Sequence, residues 1–360
     1  MRTLSRRSWL AVGTSVFVLC SIRALAPFEV ERRVVAALAR NERYAGSFDD
    51  VDVSILRLSY TIENLRLVKR NGQVPVPFVT APQVEYSVDR AALLRGRIAG
   101  TIAIASPSLN LVDGPTPEVR QGPTGVDWRL TMRKLFPTRV NRIDVRDGTI
   151  HFRNFHSEPE VDVYLDDVAI AVSNLSLRGA ASNAGTVRLL GHAVTMKTGS
   201  IEADVELHRD TPRPTFVAAA SIQNARIAEW NSFLRAYVGL DAEGGTAHVE
   251  IALRARDGEI EGHVTPRLAD VHMLGFPEEL ATQSVLTSLR ESLIDAFTAV
   301  VRDGDDHVIE VRIPVSGTVR SPEYDDWASL RELARHAFLR ALTPGGGAER
   351  PLSDSSSDSD

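Results

Sequence analysis

The sequence predicts a β-rich α+β protein: an N-terminal transmembrane helix followed by an elongated, curled antiparallel sheet, groove-like in form, with a few amphipathic helices. Three observations lead there. Residues 8–28 form one apolar stretch behind a basic start, long downstream runs alternate apolar and polar residues, and only a few later segments switch to helical spacing.

Arg2, Arg6 and Arg7 precede the run WLAVGTSVFVLCSI, in which Trp9, Leu10, Val16, Phe17, Val18 and Leu19 are the residues expected in the bilayer. A span needs about 20 apolar residues, and Trp9 to Phe28 supplies that length if Arg23 extends its guanidinium to the interface. Pro27 follows Ala24-Leu25-Ala26 and disfavours cleavage there, while Leu19 before Cys20 is not the small residue a lipoprotein signal requires. The reading is an uncleaved signal-anchor, with a cleaved signal and then a buried core helix as the competing ones. Residues 1–7 then stay in the cytoplasm and the bulk of the chain is exported to the periplasm. Arg32 and Arg33 on the opposite flank blunt the charge asymmetry behind that orientation.

Composition narrows the classes. A net charge of −6 over 360 residues offers no basic stripe, so nucleic acid is not an expected partner. Arginine far outnumbers lysine, which occurs only as Lys69, Lys134 and Lys197. Cys20 is the sole cysteine, so no intramolecular disulfide and no cysteine-based metal site can form.

Beyond the anchor, residues 29–45 read as a membrane-proximal helix with Val34, Val35, Ala37 and Leu38 on one side. The β-rich domain is expected over 46–344. Val51, Val53 and Ile55 alternate with acidic and polar neighbours, Ile102 and Ile104 continue the pattern, and Pro107 breaks the strand before Leu109 and Leu111. In Ser200–His208, Ile201, Ala203, Val205 and Leu207 oppose Glu202, Asp204, Glu206 and His208. In Thr246–Arg254, Val249, Ile251 and Leu253 oppose His248, Glu250 and Arg254, and in His307–Val315, Ile309, Val311, Ile313 and Val315 oppose Glu310 and Arg312. Such alternation describes an antiparallel sheet with one apolar and one wet face. Asp257-Gly258 marks a hairpin turn.

Three helices interrupt the strands: Ile227–Leu240 with Trp230, Phe233, Leu234 and Tyr237; Glu278–Val301 with Leu286, Leu289, Leu293, Phe297 and Val300; and Asp326–Leu342, stopped by Thr343-Pro344-Gly345. The Pro/Gly-rich stretch 113–125 reads as a long loop or break within the domain, and residues 345–360 as a disordered acidic tail.

Motifs for chemistry are missing. The sequence holds no GxxxxGKS, GxGxxG, HExxH or GxSxG pattern. His151 and His156 in HFRNFH are five apart on a strand-like segment, which suits structural histidines better than ligands. Asp49, Asp50 and Asp52, and likewise Asp303, Asp305 and Asp306, fit turn chemistry better than a calcium loop. The expectation is a protein that is not an enzyme and has no cofactor or metal. A continuous apolar sheet face must still be covered. Either a second layer closes it, or it stays open as a groove for acyl chains.

Four blocks resemble the AsmA-like envelope proteins, in particular the group known as domain of unknown function 748. They are Phe48–Val112; Gly125–Asn154, with GVDW and VNRIDVRDGTIHFRN; Ile222–Gly262, with AEWNSFLRAYVGLDAEGG; and Trp327–Pro344, with WASLRELARHAFLRALTP. The family often has Asn where this chain has Asp127. The resemblance implies an inner-membrane anchor, a periplasmic curled sheet, and a role in outer-membrane biogenesis or lipid transport between membranes. Phospholipid and other envelope proteins are the partners it implies, and it carries over no catalytic residue. An envelope scaffold with a closed sheet and no lipid site is the alternative.

Overall fold

The fold is taken from a computed structural model, which describes residues 31–32, 34–36, 38, 43–54, 56–70, 72–95, 99–122, 140–175, 186–208, 213–238, 241–275, 308–310 and 312–318. Among the described residues, one fifteen-stranded sheet contains every strand. From one edge, β1 (Tyr44–Ser47) and β2 (Asp50–Ser54) lie end to end along β3 (Ser59–Lys69), followed by β4 (Val79–Val88). Then come β5 (Gly100–Ala105) and β6 (Ser108–Asp113), end to end between β4 and β7 (Val140–Asn154). The sheet continues through β8 (Val161–Ser173), β9 (Thr186–Thr195), β10 (Gly199–His208), β11 (Thr215–Arg226), β12 (Asp241–Arg256) and β13 (Glu259–Gly275). β14 (Val308–Glu310) and β15 (Ile313–Thr318) close the other edge. At about 4.8 Å per strand, this path is on the order of 50 Å long.

The β-rich expectation holds, with three corrections. The sheet is not antiparallel throughout, because β7 runs parallel to both β5 and β6. The chain leaves β6 at one end of the sheet and starts β7 from the other, so the connection is a crossover rather than a hairpin. The membrane-proximal helix does not reach residue 45: residues are helical at 31–32, 34–36 and 38, but Tyr44 and Ala45 already pair with Lys69 and Val68 in β1. His307–Val315 is not one strand. β14 and β15 keep a common register, Glu310 opposite Arg267 and Ile313 opposite Val264, but Arg312 between them belongs to neither strand.

Other expectations match what is seen. Asp257 and Gly258, both at positive φ, join β12 to β13 as a two-residue hairpin. Residues 227–238 are helical, here α2, as a 3₁₀ turn (Ile227–Trp230), an α turn (Asn231–Phe233) and a π turn (Leu234–Val238). A second short helix, α1 (Arg90–Leu94), follows β4, with the Asp89 carboxylate accepting from the Ala92 N–H at 3.1 Å as its cap. The 113–125 stretch begins in β6 at Asp113. As far as Gly122 it is fastened to the sheet: the Lys69 ammonium donates to the carbonyls of Pro117, Glu118 and Arg120, and Gln121 is buried against β6. The helices expected at 278–301 and 326–342, the acidic cluster 303–306 and the tail 345–360 lie outside the described residues.

A line of left-handed residues crosses the sheet, in register without a bulge at Asn64 and as β-bulges at Asp147, Asp167, Asn224 and Asp270. Asn64 on β3, Ser106 between β5 and β6, Asp147 on β7, Asp167 on β8, Asn224 on β11 and Asp270 on β13 all have φ between +49° and +56°. Pro82 on β4 falls between Asn64 and Ser106 in the register of the neighbouring pairs, and Gly245 on β12 has φ +113° near Asp270. These residue types tolerate the left-handed region that β-branched residues avoid. At each of these positions side-chain parity shifts by one. Ile62 and Leu65 on β3, and Ala81 and Val84 on β4, would otherwise point to opposite faces, yet all four contribute to one core.

Candidate functional site: the apolar sheet face

Cross-strand pairing places all the alternating apolar residues on the same face. One row reads Val172, Leu189, Val205, Ala218, Leu253 and Gly262, pair by pair from β8 to β13. The next reads Ile170, Gly191, Ala203, Ala220, Ile251 and Val264, and a third runs Ala193, Ile201, Ile222, Val249 and Pro266. Gly191, Ala203 and Ala220 are small, so the middle row forms a shallow trough between bulkier flanks. The opposite face carries ionic partners. The Arg188 guanidinium reaches Asp204 at 2.6 Å and Arg267 reaches Glu310 at 2.8 Å. Arg188, by hydrogen bond and charge, holds the Asp204 carboxyl below the ordinary carboxylate range and is itself raised by that pairing.

Coverage of the apolar face differs along the sheet. Over β2–β7 it is a core, with Val34 and Leu38 of the N-terminal helical residues buried in one cluster with Val51, Tyr60, Ile62, Val84, Tyr86, Ile102 and Val140. Burial raises the Tyr86 and Tyr44 phenols above their ordinary value. Beyond the line of left-handed residues, α2 covers β7 and β8: Phe233 and Tyr237 pack on Phe152, and Tyr237 accepts from Asn154 and donates to Asp113, each at 2.9 Å. Over β9–β13, Leu189, Ile201, Val205, Leu207, Phe216, Ile222, Val249, Ile251, Leu253, Val264 and Leu268 are each only half-buried. Among the described residues no second layer stacks there; α2 touches β12 from outside the sheet, through its 3₁₀ turn, the paired Asn231–Ala242 hydrogen bonds and the Arg235–Asp241 ion pair. At the far end Ala255, Ile260 and Val315 form a small buried cluster.

The expected face residues therefore separate. Ile102 is fully buried and Ile104 packs against the same core, so both belong to the covered part. Ile201, Val205, Leu207, Val249, Ile251 and Leu253 share the half-buried part. Ile309 and Ile313 pair with Leu268 and Val264 in register, while Val311 lies outside the described residues. Trp9, Leu10, Val16, Phe17, Val18 and Leu19 also lie outside them. No described helix is long and apolar enough to cross a membrane.

Sequence reasoning missed β9, β11 and much of β13 as contributors. In TFVAAASIQ the outward positions Val217 and Ala219 are apolar too, which hides the alternation of Phe216, Ala218, Ala220 and Ile222.

His151 lies on β7 and His156 just beyond its end. His151 Nδ1 lies 2.7 Å from Asp162, whose other oxygen receives Arg153 at 3.1 Å, and its ring packs at a tilt against Tyr164, 5.4 Å between centroids. The His156 N–H donates to Asn154 Oδ1 at 2.9 Å. Asp49 accepts from Asn64, and Asp50 accepts from the Val51 N–H, which is turn chemistry. Among the described residues no three His, Cys, Asp or Glu side chains gather as metal ligands. Compared with protein-family models and with curated proteins, the chain matches none.

Proposed function

We propose that this chain is a non-enzymatic, inner-membrane-anchored periplasmic protein of the cell envelope that holds lipid acyl chains against its exposed apolar sheet face, within outer-membrane homeostasis or lipid transport between membranes. The observation that supports this reading is the half-buried face of β9–β13, which carries no charged side chain across five strands. From β8 to β13 the face is about 24 Å wide, longer than the roughly 15 Å that one leaflet gives an acyl chain. The trough at Gly191, Ala203 and Ala220 leaves room for a methylene chain beside Ile201 and Ile251. The resemblance to AsmA-like proteins agrees with it, as does the apolar segment at 8–28.

A sheet some 50 Å long is short for a continuous bridge made by one copy. Local transfer, or partnership with other envelope components, fits its size better. The closed scaffold is the second reading, and the covered face over β2–β7 favours it.

Lipid analysis separates the two. Purified full-length protein is expected to carry phospholipid detectable by mass spectrometry. Ala220→Glu, which places a carboxylate in the trough, is expected to remove most of that lipid while leaving the circular dichroism spectrum unchanged. Protein that is lipid-free from the start would favour the scaffold.

A further inference from the structure

One end of the sheet exposes leucines that no core explains. The β2–β3 hairpin tip carries Leu56, 90% exposed, and Leu58; the β4–β5 connection carries Leu93 and Leu94, the latter also 90% exposed. The two loops are built against each other. The Val88 N–H donates to the Leu58 carbonyl at 3.0 Å, and the Arg90 guanidinium donates to the Leu56 carbonyl at 2.7 Å. The Asp89 cap fixes α1, so Leu93 and Leu94 are presented by an ordered turn rather than by a loose loop. Arg57, Arg90 and Arg95 are exposed around these leucines, and Asp89, the cap, is the acidic residue of the two loops.

We infer that this tip docks on an anionic phospholipid bilayer surface, its leucines entering the headgroup–acyl boundary and its arginines meeting lipid phosphates. Exposed leucines beside arginines match the chemistry of that interface: an apolar layer below and negative charge above. The docking stands apart from the lipid-holding role of β9–β13 and does not require it.

Nitroxide scanning of the full chain tests it. With Cys20→Ser as background, labels are placed by Leu56→Cys and Leu94→Cys, with Glu206→Cys on the wet face as control. The protein is reconstituted in phosphatidylcholine vesicles with or without phosphatidylglycerol. The expected result is a several-fold rise in the ratio of oxygen to nickel-chelate collision at 56 and 94 over the control, in the anionic vesicles only. Arg57→Gln with Arg95→Gln should remove most of that rise.

Labels at 56 and 94 that stay as aqueous as the control overturn the docking. Equal immersion in neutral vesicles overturns the role given to the arginines. Low collision with both reagents would mean that a protein surface covers the tip, which also overturns it. A chain whose N-terminal segment does not hold it in the bilayer can be mixed with the same vesicles, so failure of the anchor and failure of the tip read out separately. Lipid still bound to a protein with a dry tip would leave the sheet-face reading intact.

Discussion

On β5 the apolar face is sealed: Ile102 has no exposed surface and sits among Tyr86, Ile62 and Val140. On β12 the same face of the same sheet is half open, and Ile251 lies between Ala220 and Val264 with no described element stacked over it. Strand propensity and alternation are alike in the two regions. The difference comes from what the chain supplies as cover: Val34 and Leu38 for the first strands, α2 for β7 and β8 beyond the left-handed residues, and no described layer for β9–β13. A sheet face becomes a core or a surface according to its neighbours, not its own sequence.

The largest expected effect breaks the sealed part. Ile102→Ala should cost about 3 kcal/mol through lost burial and cavity formation, whereas Ile251→Ala should cost about 1 kcal/mol, because less apolar surface is removed from water there. Urea denaturation of both variants measures the gap, and equal losses would mean that the two regions are equally covered. A charge sharpens the contrast: Ile102→Asp should prevent folding, as an unpaired buried carboxylate does, while Ile251→Asp should fold.

Next in size is the line of left-handed residues. Asn64→Val forces a β-branched residue to φ +53° and should cost on the order of 1–2 kcal/mol, with Asn64→Gly nearly neutral. A fall in melting temperature for the valine variant alone is the expected pattern.

Ionisation gives smaller effects. Burial raises the folded-state pKa of Tyr44 and Tyr86 above the ordinary 10.0, so the stabilisation tied to their protonated form is complete below that pH and lost as pH rises through the folded values. Hydrogen exchange at alkaline pH should therefore loosen β1–β5 before β9–β13. The smallest effect belongs to the wet face. Asp204 is held below its ordinary 3.8 by Arg188, so its contribution is present above that pH and fades as pH falls through the lowered value. Arg188→Gln should flatten that part of the acid melting profile only slightly, because the pair is solvent-exposed.

Much of the sheet could be read from the sequence, because Ile201-x-Ala203-x-Val205-x-Leu207 and its counterparts state their period plainly. The Asp257-Gly258 hairpin and the Trp230, Phe233, Tyr237 helix were equally clear. The parallel placement of β7 was not, since period two is the same in parallel and antiparallel pairs. The left-handed residues left a signal that alternation alone overlooks: Asn or Asp inside an apolar run, as in TIENLRL, YLDDVAI and RLADVHM, after which the apolar parity shifts. The half-buried state of the face lay furthest from view, because it depends on which distant segment packs over it.

Photocrosslinking tests the account most directly. The full-length chain, expressed in a Gram-negative envelope with p-benzoylphenylalanine at Ile251 or at Ile62, is irradiated and the adducts are identified by mass spectrometry. The account predicts phospholipid adducts at Ile251, in the half-open face, and only intramolecular adducts at the sealed Ile62. Intramolecular adducts at both positions, with no lipid, would contradict it.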